Sequence, residues 1–167
     1  IIMITNLHIK NIGIIDDLNL ELNNGFNVLT GETGAGKTLI IDSLGIICGG
    51  RFSKEMIRKG ETQSFVELCI YDPTSEYSVD GNIIVSREIY ENGRNLCKIN
   101  GRLITVNELK KIMNNFIEIH GQNDNQNLLD NKTHLKYLDN FVGEELQEIS
   151  EKYKENYQRR NEIIKEL

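Results

Sequence analysis

Gly31 to Thr38 reads GETGAGKT, a G-x-x-x-x-G-K-[ST] spacing without a mismatch, and these residue types at this spacing bind phosphate. Glycines at 31, 34 and 36 allow successive backbone N–H groups to turn inward around anionic oxygens, where a Cβ would obstruct them. Glu32, Thr33 and Ala35 complete the loop. Lys37 would reach the β and γ phosphates of a nucleotide as a point charge, and the Thr38 hydroxyl would ligate Mg²⁺. A ligand-free glycine-rich turn is the competing account. The flanks argue against it: the apolar FNVL precedes the loop and LIIDSLGII follows, the strand and helix the motif requires.

The helix after the loop would aim its N-terminal dipole at the phosphates and pack through Leu39, Ile40, Ile41, Leu44 and Ile47. Ahead of the loop, MITNLHIK, LNLEL and GFNVLT are three short strand candidates, the middle one alternating Leu18, Leu20 and Leu22 with polar neighbours. CGGRFSKEMIRKG predicts an irregular connection and SFVELCIYD another strand. Asn92-Gly93 and Asn100-Gly101, each flanked by apolar or β-branched residues, predict two tight turns joining three strands. Thr105 and Glu108 have capping-box spacing, with Leu109 and Ile112 on the inner side of the helix they start. NFIEI is a further strand candidate, leading into the polar loop HGQNDNQN, and DNKTHLKYLDNF predicts a helix capped by Asp130 or Asn131.

From Glu144 the glycines and β-branched clusters vanish and charge dominates. Leu146, Ile149, Tyr153, Asn156, Arg160, Ile163 and Leu167 alternate spacings of three and four, the register of a coiled-coil seam with polar residues at Asn156 and Arg160. An arm that needs a partner helix and a single amphipathic helix packed on its own domain both fit this pattern.

With 167 residues, 39% of them hydrophobic, the chain is long enough for one domain plus an extension. No apolar run approaches the roughly 18 to 20 residues needed to cross a bilayer, and no secretory leader opens the chain, so a soluble intracellular protein is expected, with no membrane partner. Cys48, Cys69 and Cys97 are odd in number and lack C-x-x-C spacing, which points to reduced, packed thiols rather than disulfides or zinc. A net charge of −6 disfavours a surface that is wholly a nucleic-acid footprint.

Hydrolysis of a nucleoside triphosphate also needs a carboxylate beyond a hydrophobic strand and a group that orients water. LCIYD, ending at Asp72, has that form, but Pro73 follows at once, and a turn-initiating Asp-Pro is the favoured account. NKTH at 131 to 134 lacks the acid of a guanine-reading N-K-x-D motif. Arg159 and Arg160 lie in the charged helix rather than in a kinase-like lid. Two other functions stay open: a complete small kinase using Asp72, and a non-catalytic helical dimerisation module.

Taken in order, LHIKNIGIIDDLNLEL, GFNVLTGETGAGKTLIIDSLGIICGGR, MIRKGETQSFVEL, CKINGR and IEIHGQNDNQNLL resemble the N-terminal head segment of the SMC-like ABC ATPases. GGR and HGQ lean toward their RecN branch rather than the SMC and RecF branches. The resemblance implies an α/β P-loop head lobe over residues 1–142, with a mixed sheet around the phosphate loop beside an antiparallel strand set, and the start of a coiled-coil arm over 143–167. It also implies ATP and Mg²⁺ as cofactors, residues 31–38 as the Walker A loop, and Gln122 as the Q-loop glutamine near Mg²⁺ and the attacking water. A neutral amide suits that place, since it donates to one oxygen and accepts from water without adding charge. Arg58 matches an arginine near nucleotide or DNA, with Arg51 as its competitor, and Lys10 and Asn11 fall in a nucleotide-proximal opening segment.

The family's signature motif and Walker B acids have no counterpart in the sequence, and Asn123 and Asn125 stand where histidines are expected. The implied whole is an ATPase of DNA double-strand break repair and recombination, cytoplasmic and nucleoid-associated. Its partners would be the C-terminal half of the same protein, a second head in a homodimer, and DNA. This chain alone is expected to hydrolyse ATP poorly or not at all.

Overall fold

The computed structural model describes residues 2–32, 36–119 and 144–166. They fall into two units, one ending at Ile119 and the other beginning at His120, and each is described by itself. The helix expected over 130–141 and the polar loop with Gln122 lie outside the described residues.

The first unit is built on a six-stranded sheet of β1 (Met3–Ile12), β2 (Ile15–Glu21), β3 (Gln63–Tyr71), β4 (Asn82–Tyr90), β5 (Asn95–Ile99) and β6 (Arg102–Ile104). The strand order is β2-β1-β3-β4-β5-β6, and every pair is antiparallel. Period-two alternation sends Leu7 and Ile9 of β1, Val66, Leu68 and Ile70 of β3, and Ile83, Val85 and Ile89 of β4 to one buried face. Helix α1 (Lys37–Ile47) covers that face with Ser43, Ile46 and Ile47, and α2 (Val106–Met113) adds Leu109 and Met113 to the same core.

Local chemistry sets the junctions. Asn100 and Gly101 have φ of 46° and 80°, the two positive values that a two-residue type I′ hairpin demands between Ile99 and Arg102. Gly93 (φ 86°) closes the loop from β4 to β5, where the Gly93 amide donates to the Tyr90 carbonyl at 2.9 Å. The capping box is complete: the Thr105 hydroxyl accepts from the Glu108 amide at 3.2 Å, and the Glu108 carboxylate accepts from the Thr105 amide at 2.8 Å. One 3₁₀ turn, Lys54–Met56, interrupts the otherwise irregular connection after α1.

Two expected strands do not form. Residues of GFNVLT join no ladder, and Phe26 and Val28 are 93% and 63% exposed. Asn27 closes a local loop instead: its side chain accepts from the Asn23 amide at 3.0 Å and donates to the Asn23 carbonyl at 2.8 Å. The mixed sheet expected around the phosphate loop is therefore not assembled among the described residues, because no strand there lies beside this segment. In NFIEI, the amides of Asn115, Phe116 and Ile117 donate back to Ile112 and Met113, so the segment starts as the unwinding end of α2. Phe116 and Ile117 still pack against the core.

The second unit contains helix α3 (Glu144–Glu166), which holds the predicted seam positions from Leu146 to Ile163, while Leu167 lies outside the described residues. Ile149, Tyr153 and Ile163 of the seam are exposed, and the Tyr153 and Tyr157 rings stack at 6.0 Å.

Leu68 sits fully buried on β3, between β1 and β4. Leu68→Ala is expected to cost about 2–5 kcal/mol in urea unfolding, through lost transfer energy and the cavity left behind. Leu103→Ala, at a 61% exposed position of β6, is expected to change stability by less than about 0.5 kcal/mol.

Candidate phosphate-binding site

Gly36 stands at the N-cap of α1 with φ 91°, in the left-handed region that glycine adopts without cost. No side chain caps this end and no acid lies in its first turn, so among the described residues the first amides of α1 keep their positive end open to an anion. Lys37, the first helical residue, reaches back across the loop and donates from Nζ to the carbonyls of Gly31 at 2.5 Å and Glu32 at 2.6 Å. The helix side of the loop is thus tied to its strand side. The Thr38 hydroxyl is on the exposed first turn. Thr33, Gly34 and Ala35 lie outside the described residues, as does Gln122.

The turn between β1 and β2 leans on the same helix end. Gly13 has φ 55°, and a Cβ there would come within 2.8 Å of Leu39 Cδ1, while Ile14 Cδ1 lies 3.6 Å from the place of a Gly36 Cβ. Arg58 secures that turn. Its Nη1 donates to the Ile14 carbonyl at 2.8 Å, its Nε lies 4.0 Å from Asp16 Oδ1, and its amide donates to the Asn11 carbonyl at 3.0 Å. Asn11 is buried with φ 57° and donates to Glu61 Oε2 at 3.2 Å. Arg58, Asn11 and the loop are therefore neighbours through Gly13 and Ile14. Lys10 instead points to Asp17, at 3.6 Å, and Arg51 is exposed.

The expected packing residues of α1 divide. Ile47 is buried and Leu39, Ile40 and Leu44 are partly buried, but Ile41 is 43% exposed, and Ser43 and Ile46 take buried places that the sequence reading missed. Arg87 was missed as well. It lies on the buried face of β4 and donates from Nη1 to the carbonyls of Ile46 and Gly50 at the far end of α1, at 2.6 and 2.9 Å. The alternation in NIIVSREIY carried this signal, because it puts Arg87 in phase with Ile83, Val85 and Ile89.

Cys48, Cys69 and Cys97 are free thiols. Burial pushes Cys48 up to about 11 and raises Cys69 and Cys97, so all three stay protonated near neutral pH. No group of three or more metal-ligating side chains occurs among the described residues, and no described helix is long and apolar enough to cross a membrane.

A family model described as an AAA domain matches residues 6–167. The chain is 38% identical to the DNA repair protein RecN of Bacillus subtilis over 99% of its own length and 31% of that protein. It is 39% identical to the DNA repair protein RecN of Halalkalibacterium halodurans, over 93% of this chain and 29% of that one. The chain thus spans less than a third of the length of these curated relatives. Among solved structures, the Smc head domain with a coiled coil and joint from Pyrococcus yayanosii shares the fold, with a TM-score of 0.72 and 18% identity over 99% of this chain and 38% of that one.

Asp72 is occupied by its own turn. Its Oδ1 accepts from the Thr74 hydroxyl at 2.7 Å and the Thr74 amide at 3.0 Å, an Asx turn of the kind that Asp-Pro initiates. The Thr74 hydroxyl, and after it the Thr74 amide, hold the Asp72 carboxyl below its ordinary value. A depressed native value stabilises the fold above the unfolded value, near ~3.9, and that contribution is lost as pH falls through the native one. The difference in urea midpoint between wild type and Asp72→Ala should be constant from about pH 5 to 8 and shrink below about pH 4. A difference that persists unchanged into acid would remove the charged turn as its cause.

Proposed function

Because the chain belongs to the AAA domain family, matched over residues 6–167, we propose that it is the nucleotide-binding lobe of a RecN-like ATPase head. In this reading residues 1–142 form the lobe and 143–167 begin a coiled-coil arm. The single observation that carries it is the end of α1: an uncapped helix N-terminus entered through a left-handed Gly36, with Lys37 held over the loop mouth by two carbonyls. Such an end is an anion site before any ligand arrives.

The residues fit ATP and Mg²⁺ by their donor chemistry. Gly31, Glu32, Thr33, Gly34, Ala35 and Gly36 would offer backbone amides to phosphate oxygens, Lys37 would neutralise the β and γ phosphates, and the Thr38 hydroxyl would hold Mg²⁺. Gln122 would orient the attacking water beside the metal. Arg58, one turn away through Ile14, would add positive charge near the nucleotide. Bound Mg²⁺ would supply charge neutralisation for phosphoryl transfer to water, and the protein's part would be largely positioning.

Asp72, the candidate catalytic acid from the sequence, is committed to Thr74. That commitment also weakens the small-kinase reading. The signature and Walker B motifs would come from the C-terminal half of the same protein, and a second head in a homodimer would close the site. The relatives' names as DNA repair proteins support a role in DNA repair. In this proposal the protein acts at broken DNA in the cytoplasm, and DNA is the partner of the assembled heads. The exposed seam residues Ile149, Tyr153 and Ile163 of α3 favour an arm that pairs with another helix.

Titration calorimetry of this chain with ATP and Mg²⁺, with hydrolysis followed in the same sample, tests the reading. One saturable site is expected, weakened at least about tenfold by Lys37→Ala, a loss of about 1.4 kcal/mol, without sustained turnover. Turnover by the pure chain, abolished by Lys37→Ala, would show that the catalytic acid is already present and overturn the incomplete-site reading. Absence of binding even with the C-terminal half added would overturn nucleotide binding itself.

A further inference from the structure

Arg87 is 3% exposed, and its neighbours on the buried face of β4 are Val85 and Ile89. Across the ladder it faces Val66 on β3 and Cys97 on β5. An isolated guanidinium in such a place is costly, and an apolar side chain would fill the same position more cheaply. Packing is therefore not what this residue is for.

Its donors show the use. Nη1 bridges the Ile46 and Gly50 carbonyls, and Nε donates to Asn95 Oδ1 at 3.1 Å, which orients the fork. Two oxygens at the negative end of α1 thus stand in for a carboxylate. The turn they belong to is closely packed. The Gly50 amide donates to the Gly45 carbonyl at 2.9 Å, a Gly50 Cβ would fall 2.5 Å from that carbonyl oxygen, and a Gly49 Cβ would fall 2.8 Å from Lys110 Cβ of α2.

We infer that Arg87 is a positioning residue for the phosphate loop: by gripping the C-terminal end of α1 it sets where Lys37 and Thr38 are presented at the other end. The inference rests on the nucleotide-binding reading for its functional half. The mechanical half is independent of it. An 11-residue α-helix is a rod of roughly 16 Å that does not bend under side-chain forces, so fixing one end in the sheet fixes the line along which the other end points. The Gly13–Ile14 turn then acts as the second support, against Leu39 and Gly36. A helix held only by its apolar side could slide or rotate, because its apolar residues surround much of its circumference. Directional bonds to two named carbonyls remove that freedom.

Arg87→Lys keeps the charge and loses the fork, Arg87→Met loses both, and Asn95→Ala leaves the arginine but frees its Nε. Amide hydrogen exchange on this chain reads the mechanical half without nucleotide. Arg87→Lys should speed exchange at least about tenfold both at residues 44–50 and at residues 40–43 near the loop, with Leu68 and Ile70 of β3 unchanged. Asn95→Ala should show the same pattern more weakly. Titration with ATP and Mg²⁺ should then show at least about tenfold weaker binding for Arg87→Lys and Arg87→Met at unchanged stoichiometry. Faster exchange confined to residues 46–50, with 40–43 and nucleotide affinity as in wild type, would reduce Arg87 to a local cap and overturn the inference. Wild type failing to bind nucleotide would overturn the functional reading instead, and the exchange pattern would still decide whether Arg87 positions the helix. If Arg87→Met proves too unstable to purify, Arg87→Lys and Asn95→Ala carry the test.

Discussion

The first turn of an α-helix has amides with no partner inside the helix, and among the described residues no side chain caps those of α1. Gly36 turns the chain into the helix without a capping side chain, and Lys37 bends away from the amides toward the Gly31 and Glu32 carbonyls. Everything else about α1 is secured. Ser43, Ile46 and Ile47 are sunk in the sheet, Gly13 and Ile14 press on the first turn, and Arg87 holds the last carbonyls. A helix end that must stay unsatisfied is stable only when the rest of the helix is over-determined. The sheet has that role here, with β1, β3 and β4 beneath α1.

The same sheet explains what lies exposed. Six antiparallel strands bury one face under α1 and α2, yet the segment that leads into the phosphate loop pairs with none of them. Its Phe26, Val28 and Leu29 face solvent, and so does Ile41 on the outer side of α1. In the proposed reading these apolar side chains on both flanks of the loop would be covered by another part of the whole protein. The chain spans less than a third of the length of its curated relatives, which agrees with that proposal.

Short-range chemistry was legible in the sequence and long-range pairing was not. Asn100-Gly101, Thr105 with Glu108 and Asp72-Pro73 each specify their geometry within a few residues, and these three turns and caps are present. GFNVLT failed because alternation and β propensity describe what a segment can do, whereas a strand exists only where a neighbour offers a ladder. NFIEI failed for a related reason: the chain could satisfy its first amides sooner by continuing the turns of α2. Arg87 was overlooked although its phase was visible, because a charge in the inward register of a strand is ordinarily taken as a sign that the register is wrong. What made it tolerable, the carbonyl end of a helix, is a partner 37 to 41 residues away in the chain.

The resting bonds of Lys37 bear on how such a loop discriminates. Both partners are neutral carbonyls, and a typical hydrogen bond to a charged group is worth about 1.5–3 kcal/mol net of water. A single weakly charged anion would exchange one such bond for another with little gain. A polyphosphate presents several charges at once, and it also reaches the open amides of α1, which Lys37 does not use. On the proposed nucleotide-binding reading, the lysine would hold the two sides of the loop together until a ligand brought enough charge to satisfy the lysine and the helix end in one event. That requirement would favour a nucleoside polyphosphate over inorganic phosphate before any base or ribose contact is made.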